Sequence, residues 1–547
     1  MLKKFWNDSY SIVILSGLLI SIVMTPWLND DSLIIPKQIV LVCSACFLIP
    51  RILVMVLHKD KNKNESLILL VALLIFLQMV LVMLFTSAPF EQQFFGRTGR
   101  GLGFLTETSL LVFFIVAFKL ADFNNLRTLL YFFVTASLIS TTYSIMQRFN
   151  IDFVEWNTRT NGIIGTLGNP NFQASFAAMT IVPALFYFSR LNRGIIISSL
   201  ISIPLFLVIY FAQSTQGYVA AILAVSVYLL ILAWYKNRLF FKIFSILFVT
   251  AFFTLIMGMQ NKGLLSSILY KGSVESRGDM YRNTWRLIQD HPWFGIGLDS
   301  LGDFYLKYKD FRTVQGVNEF TDHAHNLYLN YAAVGGIPLA VLHLVLAFLV
   351  VTRFFIFLRK NDKFNNDVVV LFCMWVCFQA QALISPANIS MLVWNSILSG
   401  SIIGLCSRDF LNVEKKPKKL NFSFTNPFSS FLLIIALMVM YPYFKVDKIQ
   451  QDSATLGSVE LAILSAISYP ESTIRYSRIG QVLIESNLAP QALEIGRAAA
   501  KFNPNAPSAW GLILVNNLAP REERIKAKNQ LIRLDPWNEE IRRLVIP

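Results

Sequence analysis

Leu67–Ala88 reads LILLVALLIFLQMVLVMLFTSA, an uncharged run long enough to cross a ~30 Å hydrocarbon core as a helix. Ser9–Leu28 and Phe428–Phe444 are similarly apolar. Charged residues make up 15% of the chain and its mean hydropathy is +0.54, whereas a soluble domain is about one-quarter charged. Backbone polar groups left unpaired in lipid are costly, so these runs are expected to be helices. The short alternating segments of a membrane barrel are absent. The reading is an all-α, polytopic helical membrane protein of about 13 spans.

The spans are expected near residues 9–28, 33–57, 66–88, 104–120, 127–147, 171–189, 194–212, 214–234, 239–259, 326–357, 365–385, 388–407 and 428–444. Lys3 and Lys4, Lys59/Lys61/Lys63, Arg127, Arg190/Arg193, Lys236/Arg238/Lys242, Arg359/Lys360/Lys363 and Lys415/Lys416/Lys418/Lys419 then fall on one side. Basic short loops stay in the cytoplasm, so that side is inside. Residues 89–103, 148–170, 260–325 and the tail after Phe444 are placed outside. The net charge of +15 is spread over these loops rather than gathered on one face, so no nucleic-acid partner is expected. Cys43, Cys46, Cys373, Cys377 and Cys406 all lie in apolar segments and read as buried small side chains. The first apolar run lacks a convincing cleavage site and reads as a span.

The expected division is a polytopic domain over 1–444, with the large outside loop at 260–325, and a helical tail over 445–547. The tail repeats itself: Glu485–Glu494 is ESNLAPQALE and Val515–Arg524 is VNNLAPREER. Tyr469-Pro470, Asn503-Pro504 and Asp535-Pro536 recur at about the tetratricopeptide period. Degenerate tetratricopeptide-like hairpins are expected there, a type of surface that usually docks a partner protein. A plain helical tail packed on the membrane domain is the alternative.

Outside loops rich in arginine, glycine and aromatic residues are where function concentrates. Glu275–Gly297 reads ESRGDMYRNTWRLIQDHPWFGIG, followed by Thr321–Leu329 (TDHAHNLYL) and Val334–Pro338 (VGGIP). Upstream stand Gly96–Gly103 (GRTGRGLG) and Gly165–Asn171 (GTLGNPN). This ordered set, over roughly residues 90–345, resembles the signature regions of the O-antigen ligase/polymerase family. The resemblance implies a GT-C-like membrane fold and glycan transfer from an undecaprenyl-diphosphate carrier to an acceptor hydroxyl. The acceptor would be lipid A core, a lipid-linked repeat unit or a protein. It also implies the outer face of the bacterial inner membrane, among membrane lipid.

Such a reaction asks for cations to hold a departing diphosphate and for a neutral imidazole to deprotonate the attacking hydroxyl. The resemblance maps the catalytic histidine onto His325 and the diphosphate-binding arginines onto Arg277 and Arg282, with Arg100 as a further candidate. Asn326 or Asp322 is a candidate to orient the imidazole. Asn169 and Asn171 are candidates for substrate contact or for helix capping. The family often carries a Ser-Arg pair where this chain has Ser214-Thr215-Gln216-Gly217. Gln216 can hydrogen-bond a phosphate but brings no charge, so either Arg100, Arg148 or Arg159 compensates or the donor grip differs.

His323 is a weaker candidate, His291 a turn residue, His343 a buried side chain within a span, and His58 a solvated loop residue. Asn29-Asp30-Asp31 reads as a polar span terminus rather than a metal site, so metal-independent, inverting transfer with no cofactor is expected. A polyprenyl-glycan transporter, sensitive at Gln147, Gln379 and Gln381, and a non-catalytic scaffold are the competing classes.

Overall fold

The computed structural model describes residues 9–57, 63–156, 163–270, 272–310, 321–407 and 426–546. Lys3, Lys4, His58, Lys59, Lys61, Arg159 and the lysines of 415–419 lie outside the described residues. Among the described residues every regular element is helical. The main helices of the membrane region are α1 (Ser9–Ile22), α2 (Ile35–Leu57), α3 (Lys63–Phe85), α4 (Phe104–Leu120), α5 (Phe123–Arg148), α6 (Pro170–Phe186), α7 (Gly194–Phe211) and α8 (Thr215–Lys236). They continue with α9 (Arg238–Met259), α10 (Gly272–Asp290), α11 (Leu301–Tyr308), α12 (Leu327–Lys360), α13 (Asn366–Ala382), α14 (Ile389–Ser407) and α15 (Asn426–Leu456).

Among the described residues ten helices are long and apolar enough to cross a membrane. At the three remaining expected spans lie α1, α4 and α13, with 14, 17 and 17 residues. The chain is an all-α multi-pass membrane protein. Most of its buried apolar side chains form one large core running through the bundle, and a smaller cluster that includes Val42, Phe95, Met440 and Tyr443 joins α2 to α15. Between helices in lipid the hydrophobic effect offers little, so close backbone approach has to supply the packing. Gly400 and Gly404 do this on α14. A Cβ on either would run into the Phe114 or Phe118 carbonyl of α4. By contrast, α9 buries only Gly258 and presents apolar side chains almost all round.

Two expectations need refinement. The segment 326–357 is not one straight helix: Gly336 adopts φ 79° and ψ 167°, and Pro338 follows it. The segment 260–325, expected outside as a long loop, is not only loop, because it contains α10 and α11.

The break in α12 explains two of the sequence motifs. Ile296 N–H donates to the Ala333 carbonyl (3.1 Å), Gly297 N–H to Val334 (3.2 Å) and Ile337 N–H to Pro292 (2.7 Å). Gln78 on α3 donates to the Trp293 and Gly335 carbonyls at 2.8 and 2.9 Å. The HPWFGIG stretch is thus hydrogen-bonded along the opened turn of VGGIP, which satisfies backbone groups that the kink would otherwise orphan. A Cβ on Gly336 would strike the Trp293 carbonyl.

Beyond α15 the chain forms α16 (Val459–Ile467), α17 (Thr473–Glu485), α18 (Ala489–Phe502), α19 (Pro507–Leu514) and α20 (Arg521–Leu534). These share a core of their own that includes Tyr476, Leu493, Trp510 and Leu531. The helix expected to leave the membrane near Phe444 continues unbroken to Leu456. The tail packs on the loop regions through buried polar contacts. Asn503 donates to Asp303 (2.9 Å), Thr473 to Gln92 (3.2 Å), and the Thr98 and Ser472 hydroxyls meet at 2.7 Å.

Candidate active site

Several helices begin at one end of the bundle, and their caps converge there. Asn169 caps α6 through the Asn171 N–H (2.8 Å), Ser214 caps α8 through Gly217, and Asn326 caps α12 through the Leu329 N–H (3.0 Å). Each cap follows from a short polar side chain at the last non-helical residue, where it satisfies an otherwise orphaned donor. The side-chain Oδ1 of Asn171 in turn accepts from Ser214 Oγ at 2.7 Å, tying α6 to α8. Lys37, fully buried on α2, donates to the Thr166 carbonyl and fixes the turn that precedes α6.

Arg277 projects from the first half of α10 into a cavity of about 230 Å³ lined by Asn171, Ser214, Gln216 and Ser273. Turned with its oxygen toward the guanidinium, Gln216 accepts from Arg277 Nη1 at 3.3 Å and donates to Ser385 Oγ. Among the described residues no carboxylate pairs with Arg277. Burial lowers its pKa, with only the Tyr281 phenol opposing. It is a desolvated cation facing two helix N-termini, which adds to the positive potential of the cavity.

Arg282, one turn on, is separated from it. Its side chain is 67% exposed and paired with Asp279, so α10 brings only one of the two arginines into the cavity. Arg100 is also placed elsewhere. It forms a bidentate pair with Asp322 (3.0 and 2.6 Å) and lines a second cavity, of about 210 Å³. Burial would raise the Asp322 carboxyl, but Arg100 overrides it and holds that group well below the usual carboxylate range.

His325 sits where these elements meet, and Arg277 and Arg100 both act on its imidazole. Its backbone is left-handed, with φ 53°, an uncommon and strained state for a residue with a Cβ. Its carbonyl is held by the Tyr281 hydroxyl at 3.1 Å. Burial first, then the two arginines, pushes its pKa down to about 4, so the ring is neutral at ordinary pH. Neither expected partner orients the imidazole. Asn326 spends its oxygen on the helix cap and Asp322 is engaged by Arg100, while His325 Nδ1 has no hydrogen-bond partner. His323 is fully buried, with its ring between the His325 and Ala387 N–H groups, which is a framework position. His343 stacks on Tyr331 at 3.9 Å.

Reasoning from sequence missed the scaffold behind Arg100. Asp299, with φ 53°, accepts from the Arg97 N–H (2.7 Å) and the Leu102 N–H (2.9 Å), folding Gly96–Gly103 around its carboxylate. Arg97 itself forms a buried ion pair with Asp303 at 2.6 Å. Buried pairs persist only when their remaining hydrogen bonds are met, and Gln92 (2.8 Å) and Asn503 (2.9 Å) meet them here. Asp299 lies just beyond the Glu275–Gly297 stretch, and no spacing rule pairs it with residue 97. Of the proposed compensating arginines, Arg148 packs over the Phe211 ring and Arg159 is not among the described residues.

Residues 193–344 match the family model described as O-antigen ligase. The match contains α7, α8, α9, α10 and α11, together with His325 and the broken start of α12. The segments 96–103 and 165–171 lie outside it. Comparison with curated proteins gave no match.

Proposed function

We propose that this chain, whose O-antigen ligase domain makes it a membrane glycosyltransferase of that kind, moves a glycan from undecaprenyl diphosphate to an acceptor hydroxyl. The transfer takes place on the extracytoplasmic face of the bacterial inner membrane. The observation that carries this reading is an unneutralised, half-buried Arg277 at the mouths of α6 and α8, with a neutral His325 within its electrostatic reach.

In the reaction, the acceptor oxygen attacks the anomeric carbon while the bond from that carbon to the diphosphate oxygen breaks. The electron pair leaves with the diphosphate. Arg277 and the N-termini of α6 and α8 hold the growing charge, where preorganised donors are worth most. His325, neutral because it is buried between cations, takes the hydroxyl proton. A single displacement, with the acceptor oxygen attacking from the side opposite the departing diphosphate, inverts the anomeric configuration. Gln216 supports Arg277 in place of a second cation, so donor grip rests on Arg277 more than on Arg282 or Arg100. The tail, read as tetratricopeptide-like hairpins, is proposed to hold a polymer or a partner protein beside the site.

The test is transfer by the purified full chain from undecaprenyl-diphosphate-linked glycan, with EDTA present, to a pool of lipid A core, donor repeat units and envelope protein. The reading expects a glycosylated product whose mass and attachment identify the acceptor. Intact donor with every acceptor overturns it.

A further inference from the structure

The two polar cavities share a wall. The chain passes from Asn169 in the second cavity to Asn171 in the first, and from Ile384 in the first to Ala387 and Asn388 in the second. His325 lies within the electrostatic reach of Arg277 in one and Arg100 in the other. Their charges differ. The first cavity holds a cation with no carboxylate partner among the described residues. The second holds Arg100 already matched by Asp322, plus an additional carboxylate, Asp31. A diphosphate is attracted to the first and gains nothing from the second.

The second cavity is furnished for uncharged polyols. Asp31 accepts from the Ile34 N–H (3.1 Å) and the Gly99 N–H (2.9 Å), and a carboxylate with four lone-pair sites retains capacity for two more donors. Asn169 spends only its oxygen on the α6 cap, leaving its amide nitrogen as a donor. Arg100 binds Asp322 through Nε and Nη2, leaving Nη1. Leu33, Ile34 and Phe172 provide apolar wall beside these groups, and Gly99 is exposed at the rim. A wall that mixes convergent donors and acceptors with an apolar face matches a sugar ring, whose hydroxyls lie at its edge and whose C–H groups lie on its faces. A serine or threonine side chain, with one hydroxyl, would leave most of these groups unused.

We propose that this second cavity is the acceptor subsite and that it takes a neutral sugar carrying the nucleophilic hydroxyl. The inference rests on the donor reading above, with the hydroxyl presented to His325 from the side opposite Arg277.

The experiment measures steady-state kinetics of the full chain with undecaprenyl-diphosphate-linked glycan as donor and either a lipid-linked repeat unit or a hydroxyl-bearing peptide as acceptor. Asp31→Asn removes the carboxylate. Leu33→Trp fills the cavity without removing a polar partner, which guards against a folding defect in the first variant. The expected result is a rise of roughly tenfold or more in the KM for the sugar acceptor in both variants, with donor KM within about twofold of wild type. Arg277→Ala shows the opposite split. An unchanged acceptor KM in both variants, or donor KM raised as much as acceptor KM, overturns the inference, as does wild-type preference for the peptide. Failure of wild type to consume donor with any acceptor is a separate outcome. It overturns the donor reading and the inference with it.

Discussion

Replacing Arg277 with alanine leaves the cavity formed by Asn171, Ser214 and Gln216 without a side-chain cation among its lining residues. The size of the loss follows from its surroundings. A unit charge about 4 Å from the leaving diphosphate, at an effective dielectric near 20, is worth ~4 kcal/mol. Removing one preorganised donor from a comparable site costs about 10²–10³ in kcat. Gln216 lines the cavity beside Arg277 without bringing charge, and among the described residues no second cation lines it to share the load. Transfer by Arg277→Ala is therefore expected to fall by about 10²–10³-fold, with a higher donor KM. Arg277→Lys keeps a point charge but loses the bidentate fork and should fall by roughly tenfold. The assay is initial-rate transfer at matched protein, varying donor. Arg277→Ala turnover within about threefold of wild type would refute the assignment of the diphosphate to this cavity.

Three further outcomes are expected. The imidazole of His325, with its pKa pushed down to about 4, acts as a base when neutral, so the acid limb of kcat/KM should lie near pH 4 rather than near ~6.5. The sign for stability is the same: a depressed histidine pKa contributes stability that is full above the unfolded value and lost as pH falls toward the folded one. A limb that stays near ~6.5 would contradict the buried, arginine-flanked environment. Gly336→Ala forces a Cβ into the Trp293 carbonyl at a positive φ and should lower stability by about 3 kcal/mol, read as thermal unfolding in detergent. Asn503→Ala removes a hydrogen bond to the buried Asp303 carboxylate, a loss of about 2 kcal/mol. Its readout is faster amide exchange across Gly96–Gly103, the loop that Asp303 braces through Arg97.

The helical, multi-pass fold was legible because uncharged runs of membrane length leave the backbone no other solution, and the basic loops alternate with them. What stayed hidden depends on contacts between distant segments. HPWFGIG and VGGIP are recognisable as strings, but their hydrogen-bonded pairing across a broken helix belongs to no local period. Arg277 and Arg282 are equivalent by spacing, yet helix rotation puts one in a cavity and the other in an exposed ion pair. The carboxylates Asp299 and Asp303 escaped notice because their partners, at positions 97, 102 and 503, are fixed only by the tertiary fold. Asn326 shows the converse. Its place before a helix suffices to make it a cap, and the structure gives it that role.

The central claim is that His325 is the base and Arg277 the diphosphate anchor of one transfer site. The most direct measurement is single-turnover transfer by His325→Ala alongside donor binding by the same variant. The expected loss in rate is about 10²–10⁴-fold, the usual yield of a positioned general base, with donor binding within about twofold of wild type. A variant that transfers at the wild-type rate, or one that loses donor binding in step with rate, would contradict it.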